Sequence, residues 1–231
     1  MILYCAMPGR LIPLISDQCY HVIFRGVSSQ DIFLTCNYYQ RALDLMEYYR
    51  SKDTPLRFSY LQRMDSDKRS SILKALKEKE DGYLVDIYAY ALMPNHVHLL
   101  MKQKVNNGIS VFMRNLQDSY ARYFNLKNGR KGHLFESRFR AKHIGSEEVL
   151  IHVFRYIILN PYSAGVIKRQ GDLESYPYTS LVEYKGGDSG SICELRTLLN
   201  RFGGYASLKE FVLDNADYQK SLEEIKHLMM E

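Results

Sequence analysis

Alternating apolar and polar positions mark the first regular element. CYHVIFRG (Cys19–Gly26) alternates, is rich in β-formers, and reads as a strand ending at Gly26. From Asn37 to Arg50 the period lengthens, with Tyr38, Ala42, Leu45, Met46 and Tyr49 on one side of a helix. Lys52–Asp67 shows no clear period, and SSILKALKEKE (Ser70–Glu80) reads as a short amphipathic helix. Two β-type runs follow, VDIYAYALM (Val85–Met93) and HVHLLMK (His96–Lys102). Only Pro94-Asn95 separates them, which is a hairpin signal.

A long helix is expected from about Ile109 to Leu126, ended by Asn128-Gly129. HLFESRFRAKHI (His133–Ile144) reads as a strand. Ser146 suits an N-cap, with Glu147 and Glu148 complementing the dipole of the helix that follows. That helix is expected to stop near Asn160, because Pro161 disfavours helical backbone before it. A meander with Pro177, Gly186, Gly187 and Gly190 leads to a helical tail broken at Gly203-Gly204. There is no internal repeat or low-complexity tract. A central antiparallel pair with helices between outer strands points to an α+β sandwich, the ferredoxin-like arrangement being the simplest.

Composition narrows the class. The chain has 231 residues, 46% hydrophobic and 25% charged, which is enough to bury a core and excludes a disordered chain. Cys5, Cys19, Cys36 and Cys193 lie far apart with no C-x-x-C pair, so zinc-ribbon and disulfide-framework readings have no support. The apolar start lacks a basic region and is interrupted by Pro8, Gly9, Arg10 and Pro13, a poor signal peptide. No run is long enough to span a membrane, and the chain is expected in the cytoplasm.

The net charge of +5 is unevenly placed. Lys102–Lys142 holds ten basic residues opposed only by Asp118 and Glu136, whereas Gly203–Glu231 has three lysines against six acids. A basic stretch interleaved with Tyr120, Tyr123, Phe124, Phe135 and Phe139 suits nucleic acid: cations track phosphates and rings stack on bases. A solvated helix face with ordinary core aromatics gives the same pattern.

Two motifs can carry chemistry. His96-Val97-His98 on a strand sends both imidazoles to one face, where they can share a divalent metal ion. Tyr156 and Asn160 fall at i, i+4 on one helix face. A phenol becomes a useful nucleophile towards phosphorus when a metal neutralises the developing charge, and an amide one turn away can complete the ligand set. The plain alternatives are hydrogen-bonded strand histidines and a structural tyrosine, one of 19 in the chain.

ALMPNHVHLLM (Ala91–Met101) resembles the His-hydrophobic-His signature of the HUH single-tyrosine transposases, nearest to the REP-associated tyrosine transposase branch. YHVIFRG…QDIF (Tyr20–Phe33), YARYFN (Tyr120–Asn125), GHLFESRFRA (Gly132–Ala141) and RYIILNPYSAG (Arg155–Gly165) resemble further blocks in family order. The resemblance implies a ferredoxin-like HUH domain, placed over residues 1–175, and the acidic tail over 176–231 is expected to be a helical accessory segment. It implies a metal-dependent single-strand DNA endonuclease and strand transferase, acting at hairpin-associated sites through a 5′-phosphotyrosine. Carried onto this sequence, His96, His98 and Asn160 would hold Mg²⁺ or Mn²⁺, and Tyr156 would be the nucleophile in preference to Tyr120 or Tyr123. Arg130, Lys131, Arg138, Arg140 and Lys142 are expected to hold the strand. The chain departs from the family at Val27-Ser28-Ser29, at Tyr162-Ser163 after the NP pair, and at Tyr178 where a Trp is common. These changes bear on site preference more than on chemistry. A non-catalytic DNA-binding protein and a metal-dependent nucleic-acid hydrolase are the rival classes, and a homodimer is one arrangement open to the family.

Overall fold

The computed structural model describes residues 13–79, 82–187, 191–214, 216, 217 and 219. The apolar start with Cys5, the Glu80 end of the expected second helix, Gly190 and residues 220–231 lie outside the described residues. In chain order the elements are β1 (Cys19–Arg25), α1 (Cys36–Tyr49), α2 (Phe58–Leu61), α3 (Ser66–Lys77), β2 (Val85–Met93) and β3 (His96–Gln103). Then come α4 (Gly108–Lys127), β4 (Arg140–Ile144), α5 (Glu147–Ser163), α6 (Leu181–Gly186), α7 (Arg196–Phe202) and α8 (Tyr205–Leu213). The four strands form one antiparallel sheet in the order β2-β3-β1-β4. β1 and β2 therefore run parallel with β3 between them, the split βαβ of a ferredoxin-like fold.

Strand alternation decides what each sheet face sees. On β3, Val97, Leu99 and Met101 point one way, and His96, His98 and Leu100 the other. Phe24, opposite Val97, meets Phe135, which in turn meets Tyr120 of α4. The layer containing α1 and α4 lies on that face. The other face is covered by α5, whose Tyr156 meets His98. Shielding on both faces explains β2: all nine residues but Asp86 are buried, so it reads as a near-continuous apolar run.

The α5 cap is as expected, with Val149 N donating to Ser146 Oγ at 3.2 Å. The stop at Asn160 is not. Pro161 lies inside the helix, which continues to Ser163. Proline's fixed φ is helical; it removes one N–H donor and crowds the carbonyl four residues back. Ala164 N still donates to Asn160 O at 2.9 Å, and Pro161, Tyr162 and Ser163 are all buried. Packing at the helix end outweighs the lost bond.

His133–Ile144 is a strand only over Arg140–Ile144. Its first half runs past the end of β1. Val27 N donates to Leu134 O, Glu136 N to Arg25 O, and one isolated bridge joins Gly26 to Phe135. There β1 has nothing more to pair, because the chain turns sharply at Gly26. A Cβ on Gly26 would sit 2.4 Å from Gln30 O, and Ser28 and Ser29 take left-handed φ values of 53° and 54°.

Tyr178, Ser180 and Glu194 bond to the outer edge of β2. Leu92 N donates to Tyr178 O at 2.9 Å, Tyr90 N to Ser180 Oγ at 3.1 Å, and Glu194 N to Ile87 O at 2.8 Å. Tyr184 OH donates to Tyr88 O at 2.8 Å while its ring packs edge-on to Phe154 of α5. An exposed strand edge is thereby covered.

Candidate active site

The α5 face of the sheet gathers the chemistry. β3 holds His96 and His98 with ring centroids 4.9 Å apart. On β1, Ile23 pairs with His98 and Arg25 with His96, so His21, Ile23 and Arg25 share this face. β4 extends it, with Arg140 opposite Ile23 and Lys142 opposite His21. α5 crosses over the histidines. The Tyr156 ring stands edge-on to His98 at 5.7 Å and to His21 at 6.0 Å. Tyr156 is half-buried, and Asn160, one turn later, is buried with no side-chain hydrogen bond to another described residue.

The histidines are held by hydrogen bonds to one ring nitrogen each. His96 Nδ1 is 2.6 Å from Asn95 Oδ1, and Asn95 Nδ2 donates to Ser29 O at 3.1 Å. The amide is therefore oriented with its oxygen toward the ring, so His96 Nδ1 carries the proton and Nε2 keeps a lone pair. His98 Nδ1 is 2.9 Å from His21 Nε2, the two rings stacked at 5.2 Å. Donation from His98 Nδ1 leaves its Nε2 lone pair for a ligand. This is how metal-binding imidazoles are commonly fixed by a partner on the other nitrogen.

Electrostatics keep the three rings neutral. Burial, aided by Lys142, lowers the His21 pKa to about 4. Burial, aided by Arg25, lowers that of His96 to about 4. His98 is pushed well below its ordinary value by burial first, then by His96, His21 and Arg25. Neutral imidazoles are the form that binds a metal. Among the described residues no three His, Cys, Asp or Glu side chains gather into a metal cluster. The two imidazoles offered on this face fit a divalent ion, and Asn160 lies one helical turn beyond Tyr156 on α5.

The other expected residues divide. Arg140 and Lys142 project on the histidine face. Arg130 instead braces its own turn, donating to Asn125 Oδ1 at 3.4 Å and His133 O at 3.0 Å. Lys131 and Arg138 are exposed on the connection from α4 to β4. The rival tyrosines sit on the opposite sheet face: Tyr120 is buried, its OH donating to Ile32 O at 2.5 Å, and Tyr123 lies under Arg41. Sequence reasoning missed His21 and Arg25. The alternation of CYHVIFRG puts them on one face, but only the β1–β3 register brings that face to the histidine pair.

The family profile described as "Transposase IS200 like" matches residues 56–160, from α2 to the last turns of α5. That region of the chain is similar to the IS200-like transposase family. Its span includes His96, His98, Tyr156 and Asn160, and transposases of this kind act by DNA cleavage and strand transfer in general. A solved structure of the REP-associated tyrosine transposase bound to a REP hairpin is 16% identical, with a TM-score of 0.52, covering 80% of this chain and 90% of that one. The likeness shows a shared α+β fold. A candidate transposase from Deinococcus radiodurans R1 is 18% identical with a TM-score of 0.27, covering 65% of this chain and 95% of that one. No curated protein matches the sequence. Among the described residues no helix is long and apolar enough to cross a membrane.

Proposed function

We propose that the chain is a metal-dependent single-strand DNA transesterase that cuts and rejoins at hairpin-associated sites through a 5′-phosphotyrosine on Tyr156. The observation that supports it best is the Tyr156 ring standing edge-on to His98 and His21, with His96 beside them on one sheet face. His96, His98 and Asn160 would hold Mg²⁺ or Mn²⁺; two imidazoles favour Mn²⁺ in affinity. The bound ion supplies Lewis-acid stabilisation of charge at the scissile phosphate.

Tyr156 Oη bonds to phosphorus, the bond from phosphorus to the 3′-oxygen breaks, and in net the phenol proton passes to the departing 3′-oxygen. The products are a 5′-phosphotyrosine and a 3′-OH. One phosphodiester has been exchanged for another, so attack by a different 3′-OH rejoins DNA without ATP. His21 holds His98 with its Nε2 lone pair outward, and Asn95 does the same for His96. Arg25, Arg140 and Lys142 line the strand's path with charge on the same face. The hairpin bound by the structural neighbour motivates a hairpin-bearing substrate for this chain.

The test uses 3′-labelled single-stranded DNA hairpins, Mn²⁺ or EDTA, and wild type against Tyr156→Phe, read on denaturing gels. A metal-dependent protein–DNA adduct confined to wild type is expected. Cleavage that survives Tyr156→Phe with no adduct makes the protein a hydrolase. Binding without cleavage makes it a recognition module.

A further inference from the structure

Arg25 ends β1 as an exposed side chain on an anchored backbone. The β1–β3 register pairs it with His96. Neighbouring strands lie about 5 Å apart, so the Arg25 backbone is one spacing from the histidine strand, whereas Arg140 and Lys142 on β4 are two. Gly26 N donates to Asn95 O at 2.9 Å and Glu136 N to Arg25 O at 3.0 Å, which fixes the main chain on both sides. The guanidinium itself forms no ion pair with a carboxylate among the described residues. Its charge is felt at both His96 and His98, while that of Lys142 is felt at His21. A fixed backbone and an uncommitted cation beside the histidine pair are what preorganised charge stabilisation requires.

We propose that Arg25 is a catalytic residue, its guanidinium donating to the non-bridging oxygens of the scissile phosphate and stabilising the charge they gain as Tyr156 Oη attacks. The planar fork suits two oxygens on one phosphorus, which the point charge of a lysine does not. Arg25 keeps its protons throughout, and no covalent bond to it forms or breaks. Arg140 and Lys142, a strand further out, hold the flanking DNA instead. The placement also sets an opposing demand. A cation this close to His96 repels a divalent ion there before DNA arrives, whereas with the phosphate in place both positive charges attract the same anion. Removing the guanidinium should therefore tighten metal binding while slowing the reaction. Loss of structure does not produce that pair of opposite effects.

The inference rests on the tyrosine-and-metal reading, and its test separates the two. Wild type, Arg25→Gln and Arg25→Lys would be compared by single-turnover adduct formation on a saturating 3′-labelled DNA hairpin with Mn²⁺. The same substitutions in Tyr156→Phe protein would be titrated with Mn²⁺ alone by calorimetry, and with the hairpin in EDTA by fluorescence anisotropy. Arg25→Gln is expected to lower the adduct rate constant about a hundredfold. It should weaken hairpin affinity only about threefold, the scale of one lost phosphate contact, and bind Mn²⁺ about threefold more tightly. Arg25→Lys should keep the wild-type Mn²⁺ affinity and recover only part of the rate. If wild type forms no adduct, the tyrosine reading falls and takes this inference with it. If wild type reacts and Arg25→Gln matches its saturated rate, Arg25 only holds the strand, and this inference alone is overturned. Weaker Mn²⁺ binding by Arg25→Gln together with a lower urea midpoint makes the residue structural and overturns it as well.

Discussion

His98 is almost wholly enclosed, yet its ring makes contact with three chemically relevant neighbours: His96, His21 and Tyr156. Its usefulness depends on which nitrogen holds the proton, and His21 is the only partner seen to address that nitrogen among the described residues. Replacing His21 by Ala should weaken Mn²⁺ binding about tenfold, the usual scale for losing a partner behind a ligand. Titration calorimetry of the metal into Tyr156→Phe protein measures this without any cleavage. An affinity equal to that of the parent removes His21 from the positioning role. The same burial makes the fold sensitive to acid. His21 and His96 titrate near 4 when folded and near the ordinary 6.5 when unfolded. Between those values the unfolded chain binds protons that the folded chain refuses, so stability is full above 6.5 and declines as pH falls toward 4. Urea midpoints at about pH 7.5 and about pH 5 should differ, and His21→Gln should shrink the difference; equal wild-type midpoints would contradict the assignment.

At the level of elements, caps and turns were readable because they are local chemistry. Ser146 accepts from Val149 N as its position ahead of Glu147 and Glu148 implied. Ser146→Ala should cost about 1 kcal/mol in urea unfolding, and a change near zero would mean that packing alone fixes this helix start. The Pro94-Asn95 turn was equally legible, since nothing else separates the two β-runs. Where the reading failed, a long-range contact had outvoted a local rule. Pro161 should have ended α5, but burial of the residues after it carries the helix on to Ser163. His133–Phe139 has strand-like composition, but β1 ends at Arg25 and leaves it only an isolated bridge from Gly26 to Phe135. The loop after Gly26 has a further effect: Ser29 O orients Asn95, which orients His96.

For the whole molecule, the ferredoxin-like order leaves one sheet face to be closed by something outside the split βαβ. That role falls to α5 together with residues 178–184 and Glu194, which bond to the β2 edge and pack Tyr184 against Phe154. The same closure that stabilises the sheet delivers Tyr156 to the histidines. Ending the chain after Ser175 should therefore expose the β2 edge and abolish a single cooperative unfolding transition. Circular dichroism in urea would show it; a retained sharp transition would make the later segment dispensable for folding. The molecule also separates its charges by face. Arg25, Arg140 and Lys142 flank the candidate site, while a groove between α1, α2 and α4 carries its own cations on the opposite side.

The sequence by itself determined most of the strands and long helices, the antiparallel hairpin, the same-face histidine pair and the i, i+4 relation of Tyr156 to Asn160. All of these depend on backbone period and on neighbours within a turn or two. Only tertiary structure decided that β1 pairs with β3 in a register placing His21 against His98. It alone laid α5 over that face and put Tyr120 and Tyr123 on the other, and it brought Arg57 and Arg63 to the outer face of α4. These are outcomes of which surfaces bury each other, and residues such as His21 and His98, 77 positions apart, have no local rule to join them.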